Sequence, residues 1–127
     1  MVYNSNVTII YLIFMPIETS ELEAVKAQMR KGMLEFCILL IISKGQAYAS
    51  DILRELKTAN LLVVEGTLYP LLSRLKSEKL LAYTWKESEA GPPRKYYELT
   101  DKGQESLKAL KESWKGLSES VTMLLKP

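Results

Sequence analysis

The sequence contains no histidine and only one cysteine among its 127 residues. Zinc sites and His-based catalytic triads depend on these residue types, and a single cysteine cannot form an intrachain disulfide. We therefore expect no enzymatic activity, no metal site and no cofactor. Cys37 lies inside an apolar run over 36–42, which favours a small buried side chain over a reactive thiol. A reducing, cytoplasmic setting fits this cysteine usage.

The sequence also lacks a long hydrophobic run. The apolar stretch over 7–15 is far shorter than the roughly 20 residues of a membrane helix. It has no basic residue before it and no small-residue cleavage site after it, so it makes a poor signal peptide. We predict that residues 1–15 are a loosely ordered N-terminal extension, with an added strand as the alternative. No membrane partner is expected.

The sequence also lacks an excess of charge of either sign, because it contains 17 basic and 15 acidic residues. A formal net charge of +2 does not by itself indicate a nucleic-acid partner. The distribution is more informative. Residues 66–97 hold six basic and three acidic residues, a local charge of +3, whereas residues 1–65 hold six basic and seven acidic residues, a local charge of −1.

Two helices are predicted before this basic region. Ser20 begins a capping-box pattern, and the helix that follows is expected over 21–43, with a stop at Gly45. Ser50 can cap a shorter helix over 51–58. The first helix changes along its length from sparsely apolar to apolar on all sides, which is typical of an exposed arm that runs into a core.

A third helix lies in the stretch over 65–83. One face of it carries the leucines at the helical spacing, namely Leu68, Leu71, Leu72 and Leu75. Thr67 is expected to cap the helix, with Pro70 in its first turn, where a missing N–H breaks no helical bond. The leading end then offers its small and polar residues outward, Gly66, Thr67, Tyr69 and Pro70. A helix N-terminus of this kind suits phosphate or a base edge, although an ordinary core helix with a solvated rim is the alternative.

The hydrophobic period changes from 3.6 to about 2 after Leu80, which predicts a β-hairpin. Strands are expected over 81–86 and 95–99, with a polar connection over 87–94 that places Arg94 and Lys95 beside a rigid turn. Three helices followed by a hairpin are typical of a winged helix-turn-helix, in which the third helix enters the major groove and the hairpin flanks the backbone. The predicted fold class is mainly α with a small β-hairpin.

A last helix is predicted over 101–125, capped by Thr100. It carries an apolar seam spaced by alternating threes and fours, formed by Leu107, Leu110, Trp114, Leu117, Val121 and Leu124. Such a seam predicts a dimer interface, with packing against its own domain as the alternative. The expected division is a DNA-binding domain over 16–100 and a dimerisation helix over 101–127.

Two runs of the sequence resemble the PadR-like transcriptional regulators. They are Glu65-Gly66-Thr67-Leu68-Tyr69-Pro70-Leu71-Leu72-Ser73-Arg74-Leu75 and Gly91-Pro92-Pro93-Arg94-Lys95-Tyr96-Tyr97-Glu98-Leu99-Thr100. The single C-terminal helix is similar to the short subgroup of that family. The resemblance implies a homodimeric winged-helix repressor that small molecules or other signals release from DNA. Lys79 departs from the family, because it stands where glycine commonly provides a positive φ.

The winged-helix interpretation assigns specific residues to double-stranded DNA. Thr67, Tyr69 and Arg74 are predicted readers on the third helix, with Gly66 and Pro70 beside them. Tyr48 and Ser50 are predicted to hold a phosphate, Arg94 and Lys95 to contact phosphate or the minor groove, and Arg30 and Lys31 to be weaker candidates for the same role. Two copies would favour a palindromic operator. The alternative function is a winged-helix protein–protein interaction module without specific DNA binding.

Trp114 predicts a binding site for an effector. An indole is bulky for a two-stranded seam and its N–H needs a partner when buried, so the paired helices are expected to splay and leave a cleft. A flat aromatic or cationic effector could stack there. The resemblance implies the same, because short PadR-like regulators can bind aromatic drugs between paired tryptophans. The alternative is that Trp114 is a large core residue that locks the dimer.

Overall fold

The computed structural model describes residues 21–127. The predicted N-terminal extension and the predicted Ser20 cap lie outside the described residues. The chain divides into two units between Leu34 and Glu35, and the unit Glu35–Pro127 carries all the elements discussed below except the first turns of the first helix.

The described residues form helices and one two-stranded antiparallel sheet, as the sequence predicts. The elements in chain order are α1 (Glu21–Ser43), α2 (Ala49–Thr58), α3 (Glu65–Ser77), β1 (Leu81–Ser88), β2 (Gly91–Leu99) and α4 (Asp101–Leu125). This order of helices and strands confirms the predicted winged helix with a long C-terminal helix.

The core of the second unit is built from the apolar faces that the helical and strand periods predict. Its fully buried side chains come from the C-terminal half of α1, from α2 and from α3, namely Ile38, Leu39, Ile52, Leu56, Leu68, Leu72 and Leu75. Each such side chain stabilises the fold by roughly 1.5–3 kcal/mol relative to exposure. Cys37 lies next to this core, and burial raises the pKa of its thiol, which agrees with a structural role and not a reactive one.

The hairpin is longer than the sequence predicts. Leu81 pairs with Leu99 and Ser88 with Gly91, so the turn consists of residues 89–90 alone, and the predicted connection over 87–94 is wrong. Adjacent residues of a strand direct their backbone nitrogens to opposite sides, so the open edge of the two-stranded sheet accommodates only one of the two adjacent prolines of β2, and the irregular pairing opposite residue 87 accommodates the other. Gly91 has φ +151, in a region that side chains disfavour. A bulge between Lys86 and Ser88 absorbs the mismatch beside the turn.

A residue with positive φ follows both α2 and α3. Asn60 has φ 61 after α2, and Lys79 has φ 65 after α3. Leu80 N then donates to Leu75 O at 3.0 Å and Lys79 N to Lys76 O at 2.9 Å, the Schellman arrangement that satisfies the last helical carbonyls. Lys79 therefore makes the turn for which the resemblance implies glycine, with a left-handed backbone that a side chain disfavours.

Helix α4 is buried at its start and exposed along the rest of its length. Thr100 caps it as predicted, since its side chain accepts from Gly103 N at 3.0 Å. Leu107 is only 4% exposed and belongs to the core of its own chain, which corrects its assignment to an exposed seam. The other members of the seam are exposed by 39–84% and form what we term the apolar strip of α4: Leu110, Trp114, Leu117, Val121 and Leu124.

Candidate nucleic-acid interface

The first turns of α3 present their non-leucine side chains to solvent. Leu68 is fully buried, whereas Tyr69 is 48% exposed and Gly66, Thr67 and Pro70 are exposed. No atom lies within 4 Å of a Cβ added at Gly66, so a partner can approach the backbone closely there. The outward set that the sequence predicts at this end of α3 is therefore exposed as a group.

The start of α3 differs from the prediction in its cap. Val64 is the N-cap residue, and Val64 O accepts from Thr67 N at 3.0 Å and Leu68 N at 3.1 Å. Thr67 is thus the third helical residue, and its hydroxyl does not cap the helix. Pro70 lies in the second turn and not the first, so the carbonyl of Gly66 receives no bond from it.

Arg74 forms ion pairs within the chain. Its guanidinium pairs with the carboxylate of Glu35 from α1, and Nε lies 3.8 Å from Glu78 Oε1. The sequence did not predict this tie between α3 and α1. Contact of Arg74 with DNA stays a prediction. Such a contact would require the guanidinium either to leave the Glu35 carboxylate or to bind the carboxylate and DNA at the same time.

The start of α2 lies beside the hairpin. Tyr48, and not Ser50, is the N-cap residue, and its backbone N–H donates to Asp51 Oδ2 at 2.9 Å. The Tyr48 ring packs on Tyr96 with ring centroids 4.5 Å apart. Ser50 is exposed on the second helical position. The predicted Ser50 cap is therefore wrong, and its hydroxyl is left available to a partner at a helix N-terminus.

Aromatic faces hold the cations of the hairpin. Lys95 Nζ lies 4.7 Å from the ring centroid of Tyr83 and 5.5 Å from that of Trp85. The guanidinium carbon of Arg94 lies 5.5 Å from the ring centroid of Tyr48. Cation–π attraction at exposed sites is worth about 0.5–1 kcal/mol, so it limits the motion of these side chains without neutralising their charge.

One open cleft of about 470 Å³ joins these elements. Its lining includes five residues that the sequence assigns to DNA, Tyr48, Ser50, Tyr69, Arg94 and Lys95. Gly66, Thr67, Pro70 and Arg74 are not in the lining, and they stay predictions on the exposed side of α3. Arg30 and Lys31 are exposed on α1 in the first unit, and their role also stays a prediction.

Sequence reasoning missed part of this lining. Trp85 is 61% exposed and lines the cleft together with Glu65, Pro93 and Tyr97. The alternating pattern of β1 indicates the position of Trp85, because Tyr83 and Trp85 lie on the same face of the strand. Tyr97 is buried, and burial together with the neighbouring phenols of Tyr69 and Tyr83 raises the pKa of its own phenol.

Comparisons with known proteins agree with this geometry. The model of a family described as the "Transcriptional regulator PadR-like family" matches residues 38–109, which is more than half of the chain. A PadR-like transcription factor from Bacteroides fragilis is 61% identical, with 80% of this chain and 98% of that chain covered and a TM-score of 0.69. The chain belongs to the PadR-like family of transcriptional regulators. It is a DNA-binding transcriptional regulator, and members of this family are not enzymes.

Two further PadR-like structures extend the similarity. A PadR-like transcriptional regulator from Bacillus cereus is 46% identical over 79% of this chain and 98% of that chain, with a TM-score of 0.71. A PadR family regulator from Eggerthella lenta is 31% identical over 83% of this chain and 92% of that chain, with a TM-score of 0.73. The resemblance that the sequence suggested is thereby confirmed.

Two other features are absent from residues 21–127 of the PadR-like chain. Within that range no three or more Cys, Asp or Glu side chains gather in a way that could hold a metal ion. In the same range no helix is long and apolar enough to cross a membrane.

Proposed function

We propose that this PadR-like protein is a cytoplasmic homodimeric repressor that binds a palindromic operator. The start of α3 enters the major groove, the hairpin lies on the backbone or in the minor groove, and the start of α2 holds a phosphate. A small molecule or another signal releases the repressor from the operator.

The observation that carries this proposal is the convergence at the cleft. The starts of α2 and α3 and the two cations of the hairpin border one open surface, although they are separated in sequence. Helix N-termini and cations both favour phosphate, while the exposed side chains at the start of α3 have the hydroxyl and aromatic groups that contact base edges. Contacts to backbone and to bases are therefore available side by side.

The proposed dimer is supported by the apolar strip of α4. All five of its members are exposed in the single chain, by 39% at Leu110 and by 84% at Leu124. Burial of a large apolar side chain is favourable by roughly 1.5–3 kcal/mol, and contiguous apolar surface of this kind is unusual on a monomer. A second copy of the same helix offers a matching strip.

Trp114 is the proposed effector site. It is 47% exposed in the middle of the strip, so two copies bring two indoles to the subunit interface. An aromatic or cationic ligand can stack on them, and it releases DNA only if it binds one dimer geometry better than the other. Quenching of Trp114 fluorescence in a Trp85→Phe background, with a parallel loss of operator affinity, tests the site. Quenching with unchanged affinity excludes the switch, and no quenching across a broad aromatic panel assigns Trp114 to the core of the dimer.

The experiment that tests the function measures affinity for the DNA upstream of the chain's own gene and for random DNA of equal length. Specific binding typically exceeds non-specific binding by about 10³–10⁷-fold, and a gel-shift titration at several salt concentrations measures both. Equal affinities for the two DNAs would reject the specific regulator. Absence of binding at low salt would favour the protein–protein interaction module.

A further inference from the structure

The C-terminal end of α3 and the N-terminal end of α4 meet directly. The hairpin between them returns the chain to its starting point, because Leu81 pairs with Leu99 and Thr100 thus lies beside Leu80. Three hydrogen bonds join the two ends. Thr100 N donates to Leu80 O at 3.1 Å, Thr100 Oγ1 donates to Lys79 O at 2.6 Å, and Lys102 Nζ donates to Glu78 O at 2.9 Å.

Gly103 brings the backbone of α4 against the same segment. A Cβ added at this position would lie 2.1 Å from Leu80 O and 3.1 Å from Leu80 C, a separation that only glycine permits. Gly116, on the same helix, has no atom within 4 Å of an added Cβ. The close approach is therefore a property of this end of α4, which we term the joint: residues 78–80 with residues 100–103.

Electrostatics and hydrogen bonding make the joint stiff. The negative end of the α3 dipole meets the positive end of the α4 dipole, and the Lys102 ammonium donates to Glu78 O at the end of α3. The Thr100 hydroxyl acts twice, since it donates to Lys79 O and accepts from Gly103 N at 3.0 Å. The left-handed backbone of Lys79 redirects the chain after α3. The end of one helix and the start of the other are thus held by several independent contacts.

We propose that the joint fixes the angle between α3 and α4, and that it thereby sets the half-site spacing that the dimer accepts. This inference rests on the proposed function. In a dimer held by α4, a rotation of about 10° at the joint over a lever of about 20 Å moves α3 by about 3.5 Å, close to the roughly 3.4 Å rise of one base pair. Thr100, Lys102 and Gly103 are then positioning residues that determine specificity without touching DNA.

The Thr100 hydroxyl allows its two roles to be separated. Thr100→Asp retains an acceptor for Gly103 N, so α4 stays capped, but a carboxylate cannot donate to Lys79 O. Thr100→Ser retains both bonds and is the matched control. Gly103→Ala forces the two ends apart, and Gly116→Ala controls for the same substitution on the same helix.

The test uses a palindrome selected from a random double-stranded pool with the wild-type protein. Affinity is measured by fluorescence anisotropy for that palindrome, for versions with one base pair added or removed between half-sites, and for an isolated half-site. We expect the wild type to prefer the selected spacing by roughly tenfold or more. Thr100→Asp and Gly103→Ala should lose most of that preference while half-site affinity is unchanged, and Thr100→Ser and Gly116→Ala should keep it.

The outcomes distinguish the inference from the function on which it rests. If the wild type binds the palindrome and Thr100→Asp keeps the same spacing preference, the proposed role of the joint is overturned and the proposed function is not. The same holds if the wild type binds every spacing with equal affinity. A wild type that selects no sequence overturns the proposed function and the joint together. If Gly103→Ala does not fold, Thr100→Asp and Thr100→Ser decide the question.

Discussion

Thr67 and Tyr69 flank a leucine that is fully buried, and this neighbour decides where they lie. Because Leu68 has no exposed surface, the residues on either side of it are turned outward at the start of α3. Their hydroxyl and phenol groups are therefore exposed, and in the proposed function they contact base edges in the major groove. The leucine spacing of the sequence contains this information, so the outward position of both residues follows from the sequence alone.

We predict that Tyr69→Ala or Thr67→Ala weakens operator binding by about 1–3 kcal/mol, if the side chain contacts a base edge, and leaves random-DNA binding nearly unchanged. Paired anisotropy titrations on the two DNAs measure the difference. Tyr69→Phe separates the phenol hydroxyl from the ring. Equal losses on operator and random DNA would reassign these residues to backbone contacts.

Lys79 allows a second prediction at the residue scale. A left-handed backbone conformation destabilises a residue with a side chain by about 1–2 kcal/mol. Substitution by glycine lowers the stability of the fold by about 0.4–1 kcal/mol, because the unfolded chain gains freedom. Lys79→Gly should therefore raise the free energy of unfolding by up to about 1.6 kcal/mol. Lys76→Gly, inside α3, should lower it by about 1 kcal/mol.

Urea titrations of both lysine variants provide the comparison, because the same substitution is made three residues apart. If Lys79→Gly destabilises the protein as much as Lys76→Gly does, the positive φ at position 79 is not a source of strain.

At the scale of the element, the hairpin carries its cations on the strand faces and not at its tip. Residues 89–90 form the turn, while Arg94 and Lys95 lie further along β2 against aromatic rings. The cations therefore face the start of α2 and the cleft. A hairpin that bound DNA through its tip would carry its cations at the turn over residues 89–90.

Replacing both Arg94 and Lys95 by Ala should reduce the slope of log affinity against log salt by about two units, since each phosphate contact contributes about one. Lys108→Ala, Lys111→Ala removes the same charge from exposed positions on α4 and should leave the slope unchanged. Affinity measured over a salt series tests both variants. An unaltered slope in the hairpin variant would show that the hairpin is not engaged.

The elements themselves were predictable, because helical and strand periods are local properties of the sequence. Their ends were less so. Thr67 and Ser50 have the hydroxyls that usually cap helices, yet α3 starts after Val64 and α2 after Tyr48. The residues that must be buried determine where each first turn begins. The prolines of β2 argued for a loop, although an open strand edge together with the bulge beside the turn accommodates them.

The long-range contacts were not predictable from spacing. The ion pair of Arg74 with Glu35 and the joint between α3 and α4 depend on how the chain returns in space. The cleft itself was not predicted. Five of the residues that the sequence assigns to DNA border it, whereas Trp85 and Glu65 were missed. Binding residues follow from which face is exposed, but their mutual arrangement follows from tertiary packing.

The apolar strip of α4 is the proposed interface between the two copies of the whole molecule. We predict that Leu117→Glu, Val121→Glu converts the dimer into a folded monomer, because two charges in a paired apolar seam would be buried without partners. Both positions are more than half exposed in the single chain, so the fold of the monomer is retained. Sedimentation velocity measures the mass, with Lys111→Glu as an exposed control on the same helix. An unchanged dimer would place the interface elsewhere.

In the proposed complex, two copies of the protein read one DNA site with paired α3 helices and flanking hairpins. Hydroxyl-radical footprinting of the selected palindrome tests it most directly, because the cleavage pattern reports every protected sugar. We expect two symmetric protected half-sites with centres one helical turn, roughly 34 Å, apart. Both should be lost in the Leu117→Glu, Val121→Glu variant at the concentration that protects wild-type DNA. A single asymmetric footprint, or full protection by the monomeric variant, would contradict it.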